Sequence, residues 1–483
     1  MDITLSDLTR VTEYEWELGA DFAPAMRIPI RVFGTEALVE KVLVHDGLQQ
    51  AIRVTSLPGL VGHVVLMPDA YPAQGAPFGM VAASKHPVGV VIPSAIGHDI
   101  NSGVRLLGSK IRLDDIEEHA EALADALAEH VPMGGGADNK LDIGRSEVDH
   151  IAKSGAQWAL RKGMAEQDDL VRTEEGGRLN EADPSKVSNA ARDFGTKQLG
   201  TLGGGEHFIE IGVVDRLDHP AAGFTLGVQE GTVVAQIHCG SRGYGQQICA
   251  DYITKFRESA PGFDIELPDP QLACTPLEST GAADYTGAMR AAANFAYANR
   301  QVLAHRVRQA FSEVLDISGD ELHTVYDLAH NLGQVEMHEV DGRHMRCYVH
   351  RKGATRALGP GTPGISLPYR ALGQPVLVPG GVGQVSWVLL GTSQSMQNSF
   401  GSSCHGGGGT MSLHETGTPL GESRRKELEA SGVHVRIGGE SLAETDTEVR
   451  DQVDIDEIVD TVVGAKLATR VARIKPIVVL QAS

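Results

Sequence analysis

Val233-Val234-Ala235-Gln236-Ile237-His238-Cys239-Gly240-Ser241-Arg242-Gly243 is a β-branched run that closes on a histidine, two glycines and an arginine. Valine and isoleucine favour a buried strand, and glycine lets the chain leave it sharply, so His238 is delivered to a strand terminus. Arg242, four residues on, can clamp a phosphate through parallel N–H donors. One histidine so placed is usually structural, but this arrangement recurs. Val325-Tyr326-Asp327-Leu328-Ala329-His330-Asn331 closes on a histidine, and the glycines of Leu199 to His207 deliver Glu206 and His207 to the start of a strand at Phe208–Val214. The run Gly89–Pro93 leads into Ala95-Ile96-Gly97-His98-Asp99-Ile100-Asn101-Ser102-Gly103, where Asp99 and Ser102 can face one ion, with Asp99 the anionic donor. A plain turn at Asp99 and Asn101 accounts for that segment equally well.

A second stretch differs in kind. Ser402-Ser403-Cys404-His405 is followed by Gly406, Gly407, Gly408 and Gly409, and such a loop can aim successive backbone N–H groups at an anion beside the histidine. A glycine turn with a solvated histidine is the alternative. The chain reaches this loop through a strand, a Pro-Gly-Gly turn and a strand between Gln374 and Leu390.

Elsewhere the pattern predicts a buried strand at Gly62–Asp69 that stops at Pro68 and Asp69. It predicts an amphipathic helix over 114–131 and the longest helix over 284–315. Arg290, Arg300, Arg306 and Arg308 on the long helix are expected to supply local positive charge. Residues 137–200 read as a polar lid or surface layer, with the Glu174-Glu175-Gly176-Gly177 turn on a solvated face.

The 483 residues allow about three domains or one elaborate α/β unit. The net charge of −21 excludes general attraction to a polyanion, so any nucleic acid must be held locally. Aromatics at 5% and 57 glycines favour backbone-lined sites over a stacking platform. The amino terminus shows no signal peptide and no run spans a membrane, which points to the cytosol. Five dispersed cysteines without C-x-x-C read as reduced thiols. Asp99, His207, His238 and His330 form a dispersed set of one carboxylate and three imidazoles that suits Mn²⁺, Zn²⁺ or Fe²⁺. Physics alone leads to metal-dependent phosphoryl or nucleotidyl transfer with His405 as nucleophile.

The segments around Met67-Pro68-Asp69, Asp99-Ile100-Asn101-x-Gly103, Gly200-Thr201-Leu202-Gly203-Gly204-Gly205-x-His207-Phe208, His238-x-Gly240-Ser241-Arg242-Gly243, Ala329-His330-Asn331, Arg351-Lys352-Gly353-Ala354 and Ser403-x-His405-Gly406 occur in the order seen in RtcB RNA-splicing ligases. The chain resembles that family over nearly its whole length. The resemblance implies one RtcB-like domain over 1–483, of α/β (α+β) class, with central β-sheets, a buried metal and nucleotide site and peripheral helices.

It also implies a GTP-dependent ligase using one or two Mn²⁺ ions. Such a ligase joins RNA ending in a 2′,3′-cyclic phosphate or 3′-phosphate to RNA with a 5′-hydroxyl through a histidine-guanylate on His405, as in tRNA splicing and RNA repair. Asp99, His207, His238 and His330 fall on its metal positions, with Ser102 and Glu206 beside them. Glu206, Asn331, Gly380, Gly381, His405, Gly406, Gly407 and Gly408 fall on nucleotide positions, and Arg242, Arg351 and Lys352 on phosphate or RNA positions. The partner implied is RNA, with a protein activator left open.

Several residues depart from the family. Ser102 stands where it has a metal-bridging cysteine, and a neutral hydroxyl is a weaker ligand than a thiolate. Glu206 replaces an asparagine and is expected to restore the lost negative charge. Gly409 replaces an arginine, Gly381 lies in an altered guanine-contacting turn, Gln481 replaces a guanine-contacting lysine and Gln452 a tyrosine. These changes leave open a paralogue without guanylation, acting as a metal-dependent RNA-end phosphatase or phosphodiesterase, or as a non-catalytic RNA-binding protein.

Overall fold

The computed structural model describes residues 3–134, 139–204, 207–381, 383–406, 422–438 and 454–482. Two large sheets carry the architecture. The first orders its strands Thr9–Arg10, Glu15–Leu18, Ile30–Phe33, Leu60–Tyr71, Phe78–Lys85, Arg343–Lys352 and Asn331–Val340. The second runs His323–Ala329, Gly103–Arg112, Thr232–Cys239, Phe208–Leu217, Ala468–Ala482, Ser386–Gly391 and Pro375–Val378, with His434–Gly438 added in parallel to Ala468–Ala482. His323–Ala329 belongs to one sheet and Asn331–Val340 to the other, so His330 is the single residue that links them. A short ladder pairs Ala354–Arg356 with Ser402–Cys404 and delivers His405 to the same junction.

The helix Thr280–Leu315 runs 36 residues, capped by Ser279, whose side chain accepts from the Ala282 N–H. Its many alanines combine high helix propensity with small volume, so other elements pack closely on several sides. Its carboxy-terminal half, with Leu303, Val307 and Phe311, covers Ile209, Ile211, Ala235 and Ile237 on one face of the second sheet. The opposite face packs Val104, Leu106, Val234 and Leu328 into a second core with Leu226, Leu358 and Tyr369, and His238 lies beyond that core at the end of its strand. Among the described residues no helix is long and apolar enough to cross a membrane.

Three expectations need correcting. The strand around Asp69 does not stop there but continues from Leu60 to Tyr71. Its pairing with Phe78–Lys85 shifts register between Leu66 and Tyr71, which accommodates Pro68, a residue that cannot donate to a ladder. Residues 137–200 are not a lid in the part described. Val148, Ile151, Ala152, Trp158 and Ala191 are buried in one core with Tyr285, Ala288 and Ala292 of the long helix. Glu174 is likewise not solvated: it is 1% exposed, beside Arg356 at 3.3 Å, and accepts from the Ala329 N–H at 3.0 Å. Finally, Arg300 and Arg306 are buried, so their charge is not a surface feature.

Candidate active site

Four histidines from four distant segments form a row where the two sheets meet. Ring centroids step 5.6 Å from His207 to His238, 5.1 Å from His238 to His330 and 4.9 Å from His330 to His405. A carboxylate closes each end: Asp99 Oδ2 lies 2.9 Å from His207 Nε2, and Asp69 Oδ2 lies 2.7 Å from His405 Nδ1. The strands explain the placement. Phe208 is paired with His238, Val104 with His238 and Gly103 with Cys239, so the adjoining loops all emerge at one sheet end.

Asp69 is a residue of the candidate site that sequence reading did not single out. Its Oδ2 also accepts from the backbone N–H groups of His405 and Gly406, each at 3.0 Å. A carboxylate 2.7 Å from Nδ1, a contact by charge and not an aligned hydrogen bond, favours a proton on that nitrogen and the nucleophilic lone pair on Nε2. The signal was a polar residue just after a proline inside a buried apolar strand.

At the other end, burial pushes the Asp99 carboxyl up, but His207 and Arg242 outweigh it and hold the group below its ordinary value. Burial opposes a charge on His207, yet negative charge on the Cys239 sulfur, which His207 itself favours, and on Asp99 raises it to about 10. His238 and His330 are pushed well below the ordinary imidazole value, by burial first and then by the neighbouring histidines. Both are therefore neutral, with Nε2 atoms 3.4 Å apart and Nδ1 atoms buried without a partner among the described residues. Neutral imidazoles beside a carboxylate are donors that fit a borderline divalent metal. Among the described residues no three His, Cys, Asp or Glu side chains already surround one point. The set stands as two pairs, Asp99 with His207 and His238 with His330.

Ser102 is buried in this loop; its N–H donates to the Asp99 carbonyl and its own carbonyl accepts from the His330 N–H, both at 2.9 Å. Arg242 Nη1 lies 3.4 Å from His207 Nδ1, and its guanidinium occupies the space a β-carbon at Gly203 would need. Asn331 lies in the site, but its amide is engaged: Nδ2 donates to the Asp99 carbonyl at 3.0 Å and Oδ1 accepts from the Gly353 N–H at 2.7 Å. Gly406 (φ 144°) packs against Pro379, which sets that glycine beside the turn that holds Gly380 and Gly381. The Gly380 N–H donates to Ser386 Oγ, to which Gln236 Nε2 also donates. Glu206, Gly407, Gly408, Gly409 and Gln452 lie outside the described residues.

Two expected phosphate ligands are placed otherwise. Arg351 is buried and holds both oxygens of Glu336 at 2.8 Å, together with Ser402 Oγ and the Phe400 carbonyl. Lys352 Nζ donates to the carbonyls of Gln74 and Ala76 and lies 4.9 Å over the Phe78 ring, which itself stacks toward His405. A second residue missed by sequence reading is Glu210. It is paired with Gln236 in the ladder, buried, and raised to about 8 by burial, and its Oε1 lacks a partner among the described residues. Gln481 is paired with Phe208, two residues along the same strand. An acid inside Phe208-Ile209-Glu210-Ile211 was the available signal.

Comparison with known proteins agrees with this geometry. A family model described as tRNA-splicing ligase RtcB matches residues 50–482. The chain is 41% identical to the tRNA-splicing ligase RtcB of Archaeoglobus fulgidus, covering 97% of this chain and 98% of the relative. It is 39% identical to that of Thermococcus kodakarensis, over 97% and 98%. It is also 39% identical to RNA-splicing ligase RtcB homolog 1 of Entamoeba dispar, over 90% of this chain and 81% of the relative. With its histidine row and its motifs in family order, the chain belongs to the RtcB family.

Proposed function

We propose that this protein is an RNA ligase that joins a 3′-phosphate or 2′,3′-cyclic phosphate end to a 5′-hydroxyl end through a nucleotidyl-histidine on His405. The carrying observation is the grip of Asp69 on His405 Nδ1 and on two adjacent backbone N–H groups. His405 Nε2 attacks the α-phosphate of GTP, forms a phosphorus–nitrogen bond and releases pyrophosphate. The RNA 3′-phosphate then takes the guanylate from His405, and the 5′-hydroxyl displaces GMP as the new phosphodiester forms.

Asp99, His207, His238 and His330 would hold Mn²⁺, which when bound neutralises phosphate charge and acidifies an attacking hydroxyl or water. Arg242, beside His207, clamps a phosphate oxygen. The turn Pro379 to Gly381 and the polar face of Gln236, Ser386 and Glu210 form the wall that receives the nucleotide base. Local metal and Arg242 offset the repulsion of RNA by a protein of net charge −21.

The test is incubation with Mn²⁺ and α-labelled GTP or, separately, ATP, with His405→Ala as control, followed by ligation of RNA carrying a 3′-phosphate. An acid-labile, His405-dependent adduct and ligated RNA are expected. No adduct with either nucleotide on Mn²⁺-loaded protein overturns the reading.

A further inference from the structure

Asn299-Arg300-Gln301 is a polar run in the middle of the helix Thr280–Leu315, and all three residues are fully buried. Burying such groups is costly unless every one is bonded, so their partners show what they hold. Arg300 Nη1 donates to the carbonyls of Asn101 (2.7 Å) and Cys239 (2.9 Å). Its Nη2 donates to Asn101 Oδ1 (3.0 Å) and Asp327 Oδ1 (2.7 Å). Asn299 Oδ1 accepts from the Gly200 N–H at 2.6 Å, and Nδ2 donates to the Gly240 carbonyl at 3.1 Å. Arg306 donates to the Gly200 carbonyl at 2.6 Å.

These bonds reach the chain at Asn101 near Asp99, at Gly200 before His207, at Cys239 and Gly240 just past His238, and at Asp327 before His330. Two neighbouring side chains of one helix thus touch all four ligand-bearing segments. Charge balance does not account for this, because Arg105 already pairs with Asp327 at 2.7 Å. Nor does helix packing in general: Asn294, equally buried on the same helix, bonds Ala152 and Leu179, which carry no site residue.

We infer that Asn299 and Arg300 are positioning residues that set the spacing of the Asp99, His207, His238 and His330 segments, so that metal affinity depends on them beyond their share in stability. The metal part of this inference rests on the Mn²⁺ reading above. Arg300→Lys keeps the charge for Asp327, but a single ammonium cannot span both carbonyls and the carboxylate.

The experiment measures Mn²⁺ affinity by calorimetry, melting temperature, and amide hydrogen exchange in wild type, Arg300→Lys, Asn299→Ala and the control Asn294→Ala. Arg300→Lys is expected to weaken Mn²⁺ binding at least tenfold and to speed exchange at 99–103 and 238–241. Asn294→Ala is expected to lower the melting temperature to a similar extent with Mn²⁺ affinity unchanged. Asn299→Ala is expected to speed exchange at 199–204 and 239–241 but not at 99–103, and it carries the test if Arg300→Lys fails to fold. Wild-type Mn²⁺ affinity and exchange in both site variants, or losses no greater than those of Asn294→Ala, overturn the inference. If wild-type protein binds no Mn²⁺, the metal reading falls, and the exchange pattern alone decides whether these residues position the loops.

Discussion

The two ends of the histidine row are built by different means. At the Asp99 end, loops are held from behind by polar side chains of one buried helix, and the His207 ring is paired with the Asp99 carboxylate. At the Asp69 end, His405 is held by backbone: a three-residue ladder leads into it, and one carboxylate oxygen accepts from two main-chain N–H groups and lies 2.7 Å from the ring Nδ1. The first construction suits a site that must gather several donors around an ion. The second suits a single nucleophile that must keep one tautomer and one direction.

If that contrast is right, Asp69→Asn, which keeps the shape but allows the wrong tautomer, should lower nucleotidyl-His405 formation by roughly 10²–10⁴-fold, as removal of an orienting carboxylate does elsewhere. Mn²⁺ affinity should stay within twofold; rapid-quench labelling and calorimetry on one preparation would show whether the ends are separable. A parallel loss of metal would merge them.

Glu210 probes the sheet that carries the Asp99 end. Its folded value of about 8 exceeds the ordinary 4.5, so the unfolded chain ionises first as pH rises. The stability contributed by the neutral carboxyl is complete below about 4.5 and is lost as pH climbs through 8. Glu210→Gln should therefore gain on wild type across that window, by on the order of a few kcal/mol, in denaturant melts at pH 5, 7 and 8.5. A constant difference across pH would show that Glu210 ionises freely.

The smallest expected effect is a gain. Ser102→Cys places a thiolate beside Asp99, and Mn²⁺ affinity should rise about tenfold, near 1.4 kcal/mol, with no change in the orientation of His405. Unchanged affinity would mean that the hydroxyl already suffices or that Glu206 supplies the charge.

The strand ends were readable because histidines interrupt apolar runs next to glycines, and the long helix because its apolar side repeats over many turns. The fate of the cations was not. Arg300 and Arg351 read as charge in a sequence, whereas burial and ion pairing with Asp327 and Glu336 arise only when distant segments pack. Glu174 misled for the same reason. Asp69 was visible as a motif residue, but its task depends on a partner 336 positions away. Glu210 needed only the observation that an acid sat where its strand neighbours are apolar. The likeness of motifs carried Arg351 and Lys352 to phosphate positions, but a motif does not state which way a side chain turns.

The place of the strand Ala468–Ala482 has a consequence for how the protein is made. It lies inside the second sheet, between Phe208–Leu217 and Ser386–Gly391, and is the last of the described strands to be synthesised. Until it inserts, the strand that follows His207 lacks a neighbour on one side, and long-range pairing of this kind is slow to form. The sheet that carries His207 and His238 is therefore completed only after Ala468–Ala482 has been made and has paired with Phe208–Leu217.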